Sequence, residues 1–421
     1  MIQDRLIVCI ASSWDYDPTS KHQIIKILAE KNEIVWVNYH GSRRPAMSRA
    51  DLFRAGSALR RVARGVQKAT PTISQLTPLV IPGAAHPLLK RVHERMLVAQ
   101  VRRAIRKTQR GRSLPVQVWS FAPDVPYLVG KFDEECFLYY CVDEYREFEG
   151  FHAERIAAAE DELLDRADLV VATSTPLVAA RRKRRPDTVL ARHGVDYDHF
   201  SAAWQEHFSV PADLAELPRP VFGYFGLIEH WVNIALLAKV ARLRPWFSFV
   251  ILGDAKVDVS ELRSLPNVHL LGRKPYAQLP AYCAHFDAGL LLFAQNAMTR
   301  HVNPVKMREY IAAGLPVIST PLPEARAYQR SITTAATPEA FARACDRAIR
   351  TDYAGRAQDI SRTVVRETWR ARVNELSKLV TGFVGSQITE GSKPVSDVLP
   401  KRRAKSVVPA ATLRDAVAGR K

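Results

Sequence analysis

The chain has 421 residues, 47% of them hydrophobic, with 61 Lys and Arg against 43 Asp and Glu and a net charge of +18. That size and apolar content exclude wholesale disorder and predict two or three domains of about 150–200 residues each. The five cysteines (Cys9, Cys136, Cys141, Cys283, Cys345) are scattered without a C-x-x-C pair, which argues against a disulfide scaffold or zinc ribbon and for reduced thiols in a cytosol.

Residues 6–11 (LIVCIA) form a continuous apolar run, the pattern of a buried parallel strand. No basic segment precedes them, so they do not read as a signal peptide. No apolar stretch reaches the roughly 18 residues of a spanning helix, so any membrane contact is expected to be peripheral. Residues 21–30 have helical spacing, and 34–37 (IVWV) are a second strand. Residues 42–110 then hold 16 Lys and Arg against two acids, Asp51 and Glu94. Their 43–68 part predicts a mobile segment with a helical tendency. Residues 88–110 predict an amphipathic helix with Leu88, Val92, Met96, Val101 and Ile105 on its inner side. Strands follow at 116–119, 137–142, 169–173 and 189–191, separated by helical patterns at 125–131, 153–166 and 177–184. A compact basic run, Arg181 to Arg185, closes the last of these helices, where it complements the helix dipole.

Residues 204–219 break this rhythm with Pro211 and Pro218 and read as a linker between domains at 1–203 and 220–385. Beyond it, strands are predicted at 221–225, 247–252, 268–271, 288–293 and 316–320. Helices are predicted at 228–242, 276–285, 304–313, 338–350 and 355–382, the last free to pack back on the first domain. Residues 386–421 lack periodicity and predict a disordered basic tail. The fold expected is α/β: two doubly wound, Rossmann-like domains facing a cleft. Ligands in such folds bind beyond the carboxyl ends of the strands, where strand order reverses.

The strongest local pattern is His301-Val-Asn303-Pro304-Val-Lys306-Met-Arg-Glu309-Tyr310-Ile-Ala-Ala-Gly314-Leu-Pro316-Val-Ile-Ser-Thr320. Asn303 and Pro304 suit a helix start, with Asn303 as N-cap and Pro304 in the first turn. A helix N-terminus offers free N–H groups and partial positive charge to a phosphate or to sugar hydroxyls. Lys306 and Glu309 lie three residues apart on the first turns.

This segment resembles the nucleotide-sugar signature of retaining, group 1 (family-four) glycosyltransferases with the GT-B fold. His193-Gly-Val-Asp196-x-x-x-Phe200, Gly223-Tyr-Phe-Gly226, Leu252-Gly253-Asp254 and Leu271-Gly272-Arg273-Lys274 follow in that family's order. The resemblance implies that Glu309 holds the ribose hydroxyls and that the loop at Gly226 approaches the diphosphate. The family's first signature Glu falls on His301, so Asn303 and the backbone at Pro304 are the expected contacts to the donor sugar. No Lys or Arg follows Gly226 directly; Lys306, Arg273 and Lys274 are expected to supply the positive charge. The resemblance implies a nucleotide sugar as substrate and no cofactor or metal.

In the first domain, Asp143 and Asp124 each follow a predicted strand and are the candidates to hold or activate an acceptor hydroxyl. The acceptor expected is a lipid-linked or polysaccharide intermediate at the cytoplasmic membrane face. The basic segments fit an anionic membrane surface better than a specific nucleic acid, since Phe53 is the sole aromatic in 43–70. Two other readings stay open: an epimerase or hydrolase on the same fold, or a non-enzymatic basic membrane- or nucleic-acid-binding protein.

Overall fold

The computed structural model describes residues 1–15, 18–39, 65–79, 87–148, 151–350 and 355–391. Most of the expected mobile basic segment, and the tail beyond Gly391, lie outside them. The chain divides into two compact units. The first comprises Met1–Thr173, Leu177–Ala191 and Val373 onward; the second comprises Ser174–Pro176 and Arg192–Arg372. Residues 192–203, expected in the first domain, thus belong to the second unit.

The first unit carries an eight-stranded sheet: β1 (Leu6–Ala11), β2 (Glu33–Asn38), β3 (Val66–Lys68), β4 (Ile73–Leu76), β5 (Val116–Ser120), β6 (Cys136–Cys141), β7 (Leu169–Ala172) and β8 (Val189–Leu190). Their order is β3-β4-β2-β1-β5-β6-β7-β8, and only β3 runs antiparallel to its neighbour. Every residue of β1, β5 and β6 is buried. That is why β1 and β6 read as unbroken apolar runs, whereas β5 also buries Gln117 and Ser120: helices cover both faces. The helices are α1 (Ser20–Leu28), α2 (Pro87–Gln109), α3 (Ala153–Arg166) and α4 (Thr175–Arg182). Strand order reverses between β1 and β5, so the loops after these two strands flank the crevice at the sheet's carboxyl edge.

The second unit repeats the plan with six parallel strands: β9 (Val221–Phe225), β10 (Ser248–Leu252), β11 (Val268–Leu270), β12 (Ala288–Leu291), β13 (Val317–Ser319) and β14 (Ile332–Thr334). The order is β11-β10-β9-β12-β13-β14, with reversal between β9 and β12. Helices α5 (Tyr197–Gln205), α6 (Ile234–Leu243), α7 (Ser260–Arg263), α8 (Leu279–Cys283), α9 (Val305–Ala312), α10 (Pro338–Arg350) and α11 (Ala357–Arg362) belong to it, and α12 (Trp369–Gly391) starts in it and passes into the first unit at Val373.

Several elements depart from the sequence reading. Strand β3 lies at the end of the segment expected to be mobile, and it pairs with the unpredicted β4. A 3-10 turn, Pro126–Leu128, replaces the helix expected at 125–131. Gly130, at φ +73°, ends any continuation there. Helix α6 starts at Ile234, because the Asn233 side chain accepts the Leu236 N–H at 2.9 Å and caps it there. Helix α5 occupies the start of the expected linker. On α2, Val101 and Ile105 are buried as expected, whereas Leu88 and Val92 are 63% and 53% exposed.

Arg181 is also placed differently. It does not sit on the surface with its basic neighbours but is 2% exposed. Its guanidinium makes a two-pronged pair with Glu144 at 2.7 and 3.0 Å, and its Nε reaches Glu160 Oε1 at 2.9 Å. Tyr139 donates to the same Glu160 at 2.6 Å, and Arg146 Nε approaches it at 3.3 Å. This buried network joins the loop after β6 to α3 and α4.

Candidate active site

In the second unit, the candidate donor groups gather where strand order reverses. Strand β9 ends at Phe225 and passes into Gly226, which has φ +127°. Gly226 N–H donates to Leu252 O at 2.8 Å. The backbone there lies against Gly253, leaving no room for a side chain on Gly253. Helix α9 follows β12, the neighbour of β9 across the reversal.

Tyr310 fixes the height of α9. Its ring lies flat over Gly289 of β12, where a Cβ would overlap the ring. Its hydroxyl accepts the Phe225 N–H at 3.0 Å, and its ring centre is 4.6 Å from that of Phe225. So a fully buried phenol ties the helix to the end of β9.

Lys306, in the first turn of α9, reaches back to the same place. Its ammonium donates to the Tyr224 hydroxyl at 3.0 Å and lies 4.3 Å from the Tyr224 ring centre. It also lies against Gly226, in the space a side chain there would take. The positive charge that the sequence lacks after Gly226 is thus supplied from α9. Lys274, the alternative source, is paired with Asp213 at 2.6 Å, and Tyr282 donates to that same carboxylate at 2.9 Å. Arg273 is exposed.

Glu309, one turn after Lys306, is half-buried. Burial pushes its carboxyl up from 4.5 to about 7; the Lys306 charge opposes the rise and Asp196 adds to it. Burial and the same two carboxylates, Glu309 and Asp196, push the Tyr276 phenol up. Its ring stacks on His199 at 4.5 Å, and its hydroxyl is buried without a hydrogen-bond partner. Glu309, Lys306, Asp196 and Tyr276 therefore share one electrostatic neighbourhood.

Asn303 and Pro304 behave differently from expectation. Pro304 has extended backbone (φ −67°, ψ 123°) and is itself the N-cap residue, so α9 begins at Val305. Asn303 is 3% exposed, and its Oδ1 accepts from Arg308 Nη1 at 2.6 Å. Its side chain is thus drawn under the helix, away from the capping position. Sequence reasoning missed Arg308 altogether. It is fully buried, pairs through Nε with Glu367 Oε2 at 2.8 Å and lies 5.3 Å from the Tyr328 ring centre. Tyr328 and Arg372 also donate to that Glu367 oxygen, at 2.7 and 3.0 Å. Burial disfavours the Glu367 charge, but these three donors outweigh it and hold the carboxyl below its ordinary range. His301 accompanies the helix start; its Nδ1 is 2.8 Å from Ala297 O, so in the neutral ring the lone pair sits on Nε2.

In the first unit, the expected acceptor-side acids follow adjacent strands. Asp124, after β5, accepts from the Tyr39 hydroxyl at 3.1 Å. Asp143, after β6, is half-buried. Burial pushes its carboxyl up, and the charge of Lys21 acts against that. Burial likewise lowers Lys21, with Asp143 opposing. Tyr145 donates to Phe121 O at 2.8 Å and ties the two loops together. Lys21 opens α1 directly after the β1 loop, so β1, β5 and β6 bring one cation and two acids to the same sheet edge. Among the described residues no group of three His, Cys, Asp or Glu side chains is placed to hold a metal ion. None of their helices is long and apolar enough to cross a membrane.

Comparison with known proteins bears on this geometry. Residues 219–351 match the family described as glycosyl transferases group 1. Over 282 residues the chain is 24% identical to Bacillus subtilis TuaH, provisionally named a glycosyltransferase of teichuronic acid biosynthesis; the match covers 62% of this chain and 70% of TuaH. Among the similar solved structures, two cover nine-tenths of the chain or more. One is sucrose-phosphate synthase from Thermosynechococcus elongatus, with TM-score 0.63 and 14% identity, covering 92% of this chain and all of that one. The other is HepE of Anabaena in complex with UDP-glucose, with TM-score 0.63 and 14% identity, covering 90% of this chain and 99% of that one. Likeness at that identity speaks to the fold.

Proposed function

We propose that this chain, which has the GT-B fold and matches group 1 glycosyl transferases over residues 219–351, is a glycosyltransferase that moves a sugar from a nucleotide diphosphate sugar to a lipid-linked or polysaccharide acceptor at the cytoplasmic face of a membrane. The observation that carries the donor half is the convergence of Lys306 and the first turn of α9 on the Gly226 loop.

Each group has a role in that reading. The first-turn N–H groups of a helix have no intrahelical acceptor, and the helix dipole adds partial positive charge. A diphosphate set between this turn and Gly226 meets those donors and the Lys306 ammonium. When the sugar leaves, negative charge grows on the diphosphate, and groups already in position stabilise that charge without rearranging. Glu309 accepts hydrogen bonds from the ribose hydroxyls, which favours its ionised form. Asn303 acts through Arg308, as a positioning residue for the helix start. Asp124 and Asp143 are the candidates to hold or deprotonate the acceptor hydroxyl, with the Lys21 charge opposing the burial that raises the Asp143 carboxyl.

TuaH's name supports an anionic cell-surface polymer as the class of product, and the UDP-glucose in HepE supports a uridine diphosphate sugar as the first donor to try. A thermal-shift screen of UDP-, GDP- and ADP-sugars tests the donor: a ligand at 100 times its Kd adds about 2.7 kcal/mol of stability. Glu309→Ala should abolish that shift and sugar transfer while leaving the fold intact. Transfer by Glu309→Ala at the wild-type rate would overturn the site. Release of free sugar from the donor, unchanged by any acceptor, would favour hydrolysis instead.

A further inference from the structure

Helix α2 carries a stripe that the fold leaves to solvent. Leu88, Val92, Arg95, Ala99, Arg102 and Arg106 are exposed and recur every three or four residues, along one side of the helix. Leu89 widens the apolar end and is 49% exposed. The opposite side is ordinary: Leu97, Val101, Ala104 and Ile105 pack into the core of the first unit. Leu88, Leu89 and Val92, at the head of an otherwise well-packed helix, are thus large apolar side chains on an exposed face.

The basic part of the stripe borders a groove of about 690 Å3. Arg95, Arg102, Arg106, Lys131 and Arg166 line it, with Glu94 as the one acid. Glu94 lies 3.8 Å from Lys90, and Arg166 pairs with Glu162 at 2.7 Å. Arg102 Nε is held by Lys131 O at 2.9 Å, which sets its guanidinium at the groove without neutralising it. Arg95, Arg106 and Lys131 have no carboxylate partner among the described residues.

We infer that this face of α2 is a docking surface for an anionic phospholipid bilayer, with Leu88, Leu89 and Val92 entering the interface and the groove taking lipid phosphates. Charge complementarity commits the groove to an anion, and guanidinium groups match phosphate geometry. The apolar head selects among anions. A free phosphate makes no use of three exposed aliphatic side chains, and a nucleic acid offers them no hydrocarbon; the groove's one aromatic, Tyr127, is half-buried against His93. A bilayer satisfies both ends of the helix at once. The inference deepens the membrane part of the reading above and takes its purpose from it, but its geometry stands on α2 alone.

The test is flotation of the full chain with vesicles of phosphatidylcholine, alone or mixed with phosphatidylglycerol. Binding is expected to the mixed vesicles only and to weaken with salt. Arg95→Glu/Arg102→Glu/Arg106→Glu and Leu88→Ser/Leu89→Ser/Val92→Ser should each cut partitioning by about tenfold or more, with circular dichroism and Tm unchanged. If the triple variants fold poorly, Arg95→Gln and Leu88→Ser, at exposed positions, serve instead with smaller losses. Wild-type partitioning by both sets of variants would overturn the inference. So would loss of vesicle binding in millimolar inorganic phosphate with no loss in the aliphatic variant, which marks a free-phosphate site. Equal affinity for duplex DNA would reduce the surface to unspecific charge. Vesicle binding without transfer to any lipid-linked acceptor would sink the proposed acceptor and leave the surface standing. Transfer in detergent without vesicle binding would do the reverse.

Discussion

Lys306 belongs to α9, but its ammonium sits at the end of β9, 3.0 Å from the Tyr224 hydroxyl and over that ring. Tyr224 in turn donates to Leu227 O at 3.0 Å, so the cation is held by a side chain that also braces the glycine loop. Lys306→Met should keep the fold and lower kcat by about 100-fold or more, the usual cost of losing one preorganised group at a developing charge. Gly226→Ala should damage the same step by two routes, because its φ of +127° disfavours a side chain and the new methyl would displace Lys306. Steady-state kinetics with both variants folded to wild-type helix content is the check; unaltered kcat in Lys306→Met would separate the lysine from the chemistry.

Glu309 gives a pH signature. Its carboxyl titrates near 4.5 when unfolded and is pushed up to about 7 when folded. The folded state therefore holds the proton more tightly between those values. Stability falls as pH rises from about 4.5 to 7 and is level above that. Glu309→Gln lacks this slope. Denaturant melts at pH 5 and pH 8 should show the variant gaining on wild type by up to about 3 kcal/mol at the higher pH. Parallel pH curves would show that the carboxyl is not raised.

Asn303→Ala separates support from contact. The substitution leaves the buried Arg308 short of its 2.6 Å acceptor, which should cost about 1–3 kcal/mol of stability. Because Asn303 faces Arg308, donor affinity per folded molecule should change little. A large rise in KM with unchanged Tm would instead make the carboxamide a direct donor contact.

Arg181→Met tests the buried network of the first unit. It leaves Glu160 with Tyr139 and the more distant Arg146 and takes from Glu144 its two-pronged partner, and removal of one partner from a buried pair costs about 3–5 kcal/mol. A fall in Tm is expected, with partial recovery in Arg181→Lys, which restores charge but not the two-pronged geometry. Wild-type stability in Arg181→Met would place the residue at the surface, as its basic neighbours suggested.

How far the sequence spoke depends on the kind of contact involved. Unbroken apolar runs such as 6–11 and 137–142 located the central strands, because a strand buried on both faces has little choice of composition. The short outer strands β3 and β14 carry three residues each and leave no such trace. The pattern from Asn303 to Gly314 located the site helix but not its first residue, since Asn303 was free in sequence to cap and is taken by Arg308 in space. The substitute for a basic residue after Gly226 lies about 80 positions downstream, at Lys306. No local spacing encodes a pairing at that distance. Arg181 and Arg308 were invisible for the same reason: an arginine looks identical in sequence whether its carboxylates or water receive it.

Gly289 deserves a last consequence. By letting the Tyr310 ring rest directly on β12, it acts as a depth stop for α9, setting how low the helix seats on the sheet. Lys306 spans from that helix to Tyr224. A side chain at 289 would push on the Tyr310 ring and lengthen that span. A position that touches no substrate thus gauges the distance between the helix charge and the glycine loop.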